Sequence, residues 1–255
     1  MVFSQGSRAR ALALVVACAV VAPAAARAAE VKVLASVAIK SMFDEVIPAF
    51  EKASGDKVVI QYATAAGTAK QASSGEPFDV AVTVAGATDA LVKSGVVLDQ
   101  PRPVVGVAVA ALAYREGSAR PDISTEAKFR AVVLSAPKIS LSDPALGGAS
   151  AVYFLAVVKR LGLEAQVGPR LIDTRPGEGA APVADGTARY GVAMTSEIAG
   201  VKGARGVPIF PADPASTLTL VASLSAKAAQ PAAARAFIAY LQSPAAGRLR
   251  KQNGL

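Results

Sequence analysis

The sequence predicts an α/β protein of two domains that are joined by two crossing strands. Strands, small-residue turns and helices alternate along the chain, which is typical of parallel sheets with helices packed on their faces. Two apolar runs, 104–114 and 217–224, are long enough to leave one domain and enter the other. A chain of 255 residues can also bury a sizeable core. A single doubly wound domain is the alternative architecture.

The N-terminal segment 1–28 has the pattern of a cleaved secretory signal peptide. Arg8 and Arg10 precede an apolar run, and residues 26–28 form an A-x-A cleavage site. Cleavage implies a periplasmic protein. A membrane anchor and lipidation at Cys18 are the alternatives, although the apolar run is short for a membrane span and continues well past the cysteine.

The composition of the mature chain excludes several classes of function. Removing the signal peptide removes the only cysteine, and the chain has no histidine or tryptophan. Ser-His-Asp and Cys-His catalysis are therefore excluded, zinc and copper sites are disfavoured, and we expect no cofactor and no metal. Removal also takes away three arginines and no acid, lowering the formal charge from +8 to +5. No basic stripe interleaves with aromatic residues, so we expect no nucleic-acid binding.

Domain 1 is predicted at 29–108 plus 221–255. An apolar strand at 31–35 is followed by a helix whose apolar side chains recur at helical spacing from Ile39 to Phe50. Gly55 is expected to end this helix in the left-handed conformation. The other elements of the first segment are strands at 58–62 and 78–84, and short helices within 64–75 and at 88–93.

Domain 2 is predicted at 109–220. The long strand at 104–114 leads into it, and the run at 217–224 returns the chain to domain 1. After this return, in the second segment of domain 1, Pro231 and Pro244 each open a helix, because proline suits the first helical position. Within domain 2 we predict helices within 121–134 and at 151–161, and strands at 139–141, 171–172 and 190–194.

The loop LSDPALGGAS at 141–150 is the strongest candidate for a binding site. Ligands of open α/β sheets bind where strands end and helices begin, since free N–H groups point outward there. Gly147 and Gly148 would let a ligand approach the backbone, and Ser150 could donate to it. Alternatively, the glycines only make a turn and Ser150 only caps its helix. Similar loops follow other strands, and their candidate ligand-binding residues are Ser36, Val37, Thr64, Ala65, Ala85 and Thr195.

Charged candidates for the site are few. Arg175, in DTRPGEG, would suit a carboxylate ligand, or it is a solvent-exposed loop residue. Glu178 and Glu197 could serve an isomerase as general base, although each is better interpreted as a carboxylate at a helix start. We therefore predict no catalytic residue.

The chain resembles the periplasmic substrate-binding proteins of ABC importers, in particular the molybdate-binding-protein-like group with the type II fold. The resemblance rests on VKVLASVAIKSMFDEVIPAFEKASG at 31–55, ISLSDPALGGASAVYFLAVVKRLG at 139–162 and ARYGVAMTSEIAGVKG at 188–203. It implies two domains that close on a hinge over a small anion in the cleft between them. It also implies an inner-membrane ABC permease as partner, and we expect a monomer.

The same resemblance shows a departure at the ligand positions. Two serines and a tyrosine that the group uses as ligands correspond here to Ala38, Ala65 and Met194. We therefore expect weak molybdate binding and, because small residues leave more room, a ligand larger than a tetrahedral oxyanion.

The chain is also similar to a periplasmic aconitate isomerase on the same scaffold, in EVIPAFEKASG at 45–55, TDALVKSGVV at 88–97 and RPDIS at 120–124. The leading hypothesis is capture of a small oxyanion or organic carboxylate for an importer. The alternatives are isomerisation of a small polycarboxylate and a scaffold with a degenerate cleft.

Overall fold

The structure of the protein is a computed structural model that describes Met1 and residues 28–255. The features of the predicted signal peptide, including Cys18, lie outside the described residues. Within the part that is described, no helix is long and apolar enough to cross a membrane.

Nine strands of the described chain form a single mixed sheet. Their bounds are β1 (Glu30–Ser36), β2 (Lys57–Ala63), β3 (Val80–Val84), β4 (Val104–Arg115), β5 (Ile139–Ser142), β6 (Leu171–Thr174), β7 (Tyr190–Met194), β8 (Ala204–Pro208) and β9 (Thr217–Leu224). The strand order is β2-β1-β3-β9-β4-β7-β5-β6, with β8 pairing to β4. Three parallel strands lie at each end of this order, β2-β1-β3 at one end and β7-β5-β6 at the other. Between them lie β9 and β4, which pair antiparallel with each other and with their neighbours β3 and β7.

Strand β4 belongs to both halves of the molecule. Its residues 104–109 pair with β9. On one side, Ala110–Ala113 pair with β7, and on the other, Ala111–Arg115 pair with β8. Together with β9, it connects a first half built on β1–β3 to a second half built on β5–β7. The predicted α/β architecture with two crossing strands is confirmed.

Ten helices of the described chain flank the sheet. They are α1 (Lys40–Ser54), α2 (Ala65–Ser73), α3 (Ala85–Lys93), α4 (Glu126–Ser135), α5 (Ala149–Arg160), α6 (Glu164–Val167), α7 (Ala181–Ala184), α8 (Thr195–Ala199), α9 (Pro231–Tyr240) and α10 (Pro244–Gln252). Gly55 ends α1 with φ +81°, as expected, and Pro231 and Pro244 stand in the first turns of α9 and α10. Short 3-10 turns at Val37–Ile39 and Pro144–Leu146 precede α1 and α5.

Each half has its own aromatic cluster in the core. In the first half, the Phe237 ring of α9 lies 5.8 Å from the Phe43 ring and 5.1 Å from the Phe50 ring of α1, both edge-on. In the second half, Phe129 of α4 packs 6.0 Å from Phe154 of α5. Such edge-on pairs contribute about 0.5–1.5 kcal/mol beyond the burial of their area. The two clusters pack α1 against α9 in the first half and α4 against α5 in the second.

Candidate ligand-binding cleft

A cleft between the two halves collects the loops that follow β1, β2, β5, β6 and β7. The first half contributes the strand ends and helix starts of β1 and β2, with Ser36, Val37, Ala38, Thr64 and Ala65. The second half contributes the loop before α5, the turn after β6 and the β7–α8 junction. These are the carboxyl ends of strands, where ligands of open α/β sheets bind.

Two hydroxyl side chains of the first half lie at helix starts in the cleft. Ser36 is buried, and its Oγ accepts from the Ala38 N–H at 3.3 Å. Thr64 caps α2, and its Oγ1 accepts from the Gly67 N–H at 3.0 Å. Each oxygen accepts one bond from its helix, and within the described chain neither hydroxyl donates to an acceptor. Both hydroxyl protons therefore remain free to donate to a ligand.

The opposite wall is the loop before α5 and the first turn of that helix. Gly147 has φ +78°, and Gly148 occupies the N-cap position. Ala149 and Ser150 stand in the first helical turn, whose N–H groups have no partner inside the helix. The buried Ser150 and these N–H groups give the second half donors of its own. The structure thus brings Gly147, Gly148 and Ser150 to one cleft with Ser36 and Val37.

Ser142 fastens the turn after β6 to the end of β5. Its Oγ accepts from the Gly177 N–H at 3.2 Å and donates to the Arg175 carbonyl at 3.3 Å. This serine lines the cleft, as do Pro176 and Gly177. None of these three was among the named ligand-binding residues, although Ser142 lies within the predicted binding loop at 141–150 and is the last residue of β5.

The two walls are in contact. A Cβ on Gly147 would lie 3.4 Å from the Thr64 Oγ1, and a Cβ on Gly177 would lie 2.7 Å from the Val37 Cγ2. The space between the walls is about 20 Å³, enough for about one water molecule. The predicted room for a ligand larger than a tetrahedral oxyanion is therefore not present in this arrangement, and a carboxylate needs the walls to separate.

Glu197 is the only titratable side chain among the described residues that line the cleft. It is partly buried in α8, and its Oε2 accepts from the Met194 N–H at 2.9 Å. Burial raises the pKa of Glu197 to about 7, and the hydrogen bond from Met194 opposes the shift. The carboxyl can therefore gain or lose a proton near neutral pH. Glu197 is thus both a helix-start carboxylate and a cleft residue, which the sequence pattern presented as alternatives.

Three of the predicted ligand-binding residues lie outside this cleft. Arg175 is solvent-exposed, and of its turn only Pro176 and Gly177 reach the cleft. The Thr195 hydroxyl donates to the Gly254 carbonyl at 2.7 Å and accepts from a backbone N–H of β4. Ala85 starts α3 and lines a separate surface hollow. Arg175 points to solvent, Thr195 is used in structural bonds, and Ala85 belongs to a strand end away from the second half.

The electrostatics of the cleft depend on backbone and hydroxyl donors. Its described lining contains no lysine or arginine. Helices α2 and α5 begin there, and a helix start carries about half a positive charge. The described residues contain no group of three or more His, Cys, Asp or Glu side chains that could hold a metal ion. The donors that the described lining does present are hydroxyls and backbone N–H groups at helix starts, and such donors suit an anion.

Residues 31–255 match the family model for the bacterial extracellular solute-binding protein. The chain belongs to this family. The match covers both halves of the molecule and every strand that borders the cleft except the first residue of β1. This solute-binding protein is also 34% identical, over 232 residues, to an aconitate isomerase of a Pseudomonas species, with 88% of this chain and 86% of that protein covered.

Solved structures resemble this solute-binding protein in fold. The periplasmic molybdate-binding protein of Azotobacter vinelandii has a TM-score of 0.67 and 18% identity, with 88% of this chain and 97% of that chain covered. The sulfate-binding protein of Mycobacterium tuberculosis has a TM-score of 0.64 and 19% identity, with 89% and 86% covered. Both have the type II periplasmic fold, so the expected fold class and family resemblance are confirmed.

The positions that the resemblance assigns to ligand side chains do lie in the cleft. Ala38, Ala65 and Met194 are all among its lining residues. Two methyl groups and a thioether thus stand where two serine hydroxyls and a phenol are expected. The cleft therefore lacks the three hydrogen-bond donors that the resemblance leads one to expect at these positions.

Proposed function

We propose that this protein captures a small organic carboxylate in the periplasm and delivers it to an ABC permease in the inner membrane. The observation that carries the proposal is the convergence of hydroxyls and helix starts from both halves on one cleft. Ser36 and Thr64 stand on one side, and the first turn of α5 stands on the other. An anion held between them would draw the halves together, as expected for a protein that closes over its ligand.

The donor set supports an anion as ligand. Backbone N–H groups at helix starts and neutral hydroxyls bind negative charge without a cationic side chain. A cationic ligand would have only Glu197 as a charged partner in the described lining. The formal charge of +5 for the mature chain also favours the approach of anions.

The substitutions in the cleft support a carboxylate over molybdate. A hydrogen bond to a charged group contributes about 1.5–3 kcal/mol, and each 1.4 kcal/mol corresponds to about tenfold in affinity. Losing donors at Ala38, Ala65 and Met194 should therefore cost several decades of molybdate affinity. Carboxylates are flatter and partly apolar, and they tolerate methyl groups beside them better than a tetrahedral oxyanion does.

The location and partners follow from the family and the N-terminal sequence. Solute-binding proteins of this family are extracellular, which supports the predicted signal peptide at 1–28 and a periplasmic location. Delivery to a permease, as a monomer, is part of the same proposal. Co-purification with membrane proteins after cross-linking, and the mass in solution, test these two points.

Calorimetry with a ligand panel tests the proposed ligand class. We expect trans-aconitate, cis-aconitate or citrate to bind, and sulfate and molybdate to bind at least about a hundredfold more weakly. Replacing both Ser36 and Ser150 by alanine should weaken carboxylate binding by about tenfold or more, since two donors are lost. Ser135→Ala, an exposed position in α4, is the matched control and should bind normally. Tight molybdate binding together with no carboxylate binding would contradict the proposal.

A second candidate function is isomerisation of a small polycarboxylate. It is favoured by the 34% identity to an aconitate isomerase and by the position of Glu197 in the cleft. Binding and catalysis are compatible on one scaffold, since function depends on the site and not on the fold.

A further inference from the structure

We propose that the Glu197 carboxyl is the catalytic base that moves a proton within an unsaturated tricarboxylate bound in the cleft. The cleft would then interconvert the cis and trans isomers of that compound. This inference rests on the proposed binding of a small carboxylate at the same site. It assigns the chemistry to one side chain on the β7–α8 junction.

The chemistry of the cleft leaves few ways to isomerise a carbon–carbon double bond. One way is addition of a nucleophile, which requires a thiolate or a hydroxyl activated by a base. The described lining contains no cysteine or histidine, so the only base that could activate one of its hydroxyls is Glu197 itself. The other way is to move a proton along an allylic system, which requires one group that can accept and return a proton. Among the described lining residues, only Glu197 is such a group.

The geometry holds the carboxyl of Glu197 in a fixed place. Its Oε2 accepts from the Met194 N–H at 2.9 Å, which ties it to the end of β7. In the described structure no hydrogen bond occupies Oε1, so this oxygen is available for a ligand proton. The donors for ligand carboxylates lie elsewhere in the cleft, at Ser36, Thr64 and Ser150. A bound tricarboxylate would therefore be anchored by neutral donors while its carbon chain faces Glu197.

The protonation state of Glu197 suits this role. Its pKa of about 7 results from burial, opposed by the Met194 hydrogen bond. The charged side chains on the elements packed against α8 do not contribute to this shift. On α1 they are Lys40, Asp44, Glu45, Glu51 and Lys52, and on β4 and β8 they are Arg115 and Arg205.

The proposed step balances without any other reactant. The Glu197 carboxylate takes a proton from the methylene carbon next to the double bond, and that C–H electron pair forms an allylic carbanion. The negative charge spreads into the adjacent carboxylates. The protonated Glu197 then returns its proton to the other end of the allylic system, which forms a new C–H bond and moves the double bond. The carboxylate is regenerated, and nothing is oxidised or reduced.

The test follows trans-aconitate and the purified protein in deuterium oxide by proton NMR. We expect cis-aconitate to form and deuterium to appear at the methylene carbon. Glu197→Gln keeps the acceptor for Met194, so it should bind trans-aconitate in calorimetry within about threefold of the wild type. The variant should lose about 10²–10⁴-fold in isomerisation rate, the usual contribution of a general base. Glu178→Gln, at an exposed glutamate, is the control and should retain both properties.

A wild-type readout keeps the test informative if Glu197→Gln does not fold. The isomerisation rate should rise as pH increases through about 7, because the base must be ionised. Binding of trans-aconitate with neither isomerisation nor exchange would overturn the inference and leave the binding proposal intact. Full activity of Glu197→Gln would also overturn it. If trans-aconitate does not bind at all, the inference fails, and the other carboxylates of the panel decide the binding proposal independently.

Discussion

Two opposing effects act on Glu197, and together they link its titration to the stability of the protein. Burial disfavours the carboxylate, whereas the Met194 N–H favours it, and the net result is a pKa of about 7. The ordinary value for a glutamate is 4.5. The folded protein therefore binds a proton on Glu197 more tightly than the unfolded chain does. This contribution to stability is present below the unfolded pKa and is lost as the pH rises through the folded pKa.

Replacing Glu197 by glutamine should remove this pH dependence. A shift of one pKa unit corresponds to about 1.4 kcal/mol, and partial exposure reduces the effect. Relative to Glu197→Gln, the wild type should therefore lose on the order of 2 kcal/mol of unfolding free energy between about pH 5 and about pH 8. Urea unfolding at both pH values measures the difference. If the wild type and Glu197→Gln differ in free energy of unfolding by the same amount at both pH values, the carboxyl is not desolvated.

The residues of the site were predictable from sequence only in part. The pattern of small residues at strand ends pointed to Ser36, Thr64 and the Gly147–Ser150 segment, and the structure places them around one cleft. The pattern does not show the direction of a side chain, so it could not tell that Arg175 points to solvent. Gly148 also has a second explanation: a Cβ there would lie 2.9 Å from the Ser142 Cβ. The loop therefore needs this glycine to pack on β5, whether or not a ligand approaches it.

At the scale of elements, Asp79 connects two strands and a helix of the first half. Its Oδ2 accepts from the Lys32 N–H of β1 at 2.8 Å. Its Oδ1 accepts from the Gln230 N–H, directly before α9, at 2.9 Å. The carboxylate is buried, and its own backbone continues into β3. Asp79 thus connects the start of α9 to the neighbouring strands β1 and β3.

We expect Asp79→Ala to lower the free energy of unfolding by about 3 kcal/mol, because two backbone N–H donors lose the buried carboxylate that accepts from them. Asp79→Asn retains one carbonyl oxygen and should cost about half as much. The control is Asp173→Ala, at an exposed position on the edge strand β6. Chemical denaturation measures all three variants. Equal stability of Asp79→Ala and Asp173→Ala would contradict the assigned role.

Elements with strong apolar periodicity were predicted correctly, and elements stabilised by tertiary contacts were not. The helix α1 has Met42, Phe43, Val46 and Phe50 on one buried face, so its period is visible in the sequence. The strand β8 reads ARGVP and has little apolar pattern. It forms because its backbone pairs with β4, a partner about ninety residues earlier in the chain. The one-turn helices α6 and α7 are likewise too short to show a period.

At the scale of the whole molecule, the crossing strands β4 and β9 are where we expect the hinge. The pairing of β4 with β9 shifts register between Val104 and Gly106 and continues to Val109, after which β4 pairs with β7 and β8 of the second half. We propose that the halves rotate there, close to the predicted domain boundaries at 108–109 and 220–221. Rotation would separate the Val37 and Gly177 walls and open the cleft to a carboxylate.

A disulfide across the cleft tests this motion. A Cβ on Gly177 would lie 3.7 Å from the Val37 Cβ, and disulfides need Cβ atoms about 3.5–4.5 Å apart. Cys18 is the only cysteine of the sequence and lies in the predicted signal peptide, so the mature Val37→Cys/Gly177→Cys protein would contain only the new pair. Gly177 has φ +82°, so a side chain there costs about 1–2 kcal/mol, which the cross-link should offset.

We expect this double variant to oxidise readily and then to bind carboxylates at least about a hundredfold more weakly. The locked walls leave about 20 Å³, which is too little for a tricarboxylate. Reduction should restore binding, because it frees the walls to separate. Calorimetry before and after reduction measures the change, and the Val37→Cys single variant controls for the loss of the valine. If the oxidised protein binds as well as the reduced one, ligands reach their site without any separation of these walls, and the cleft between the halves is not where they bind.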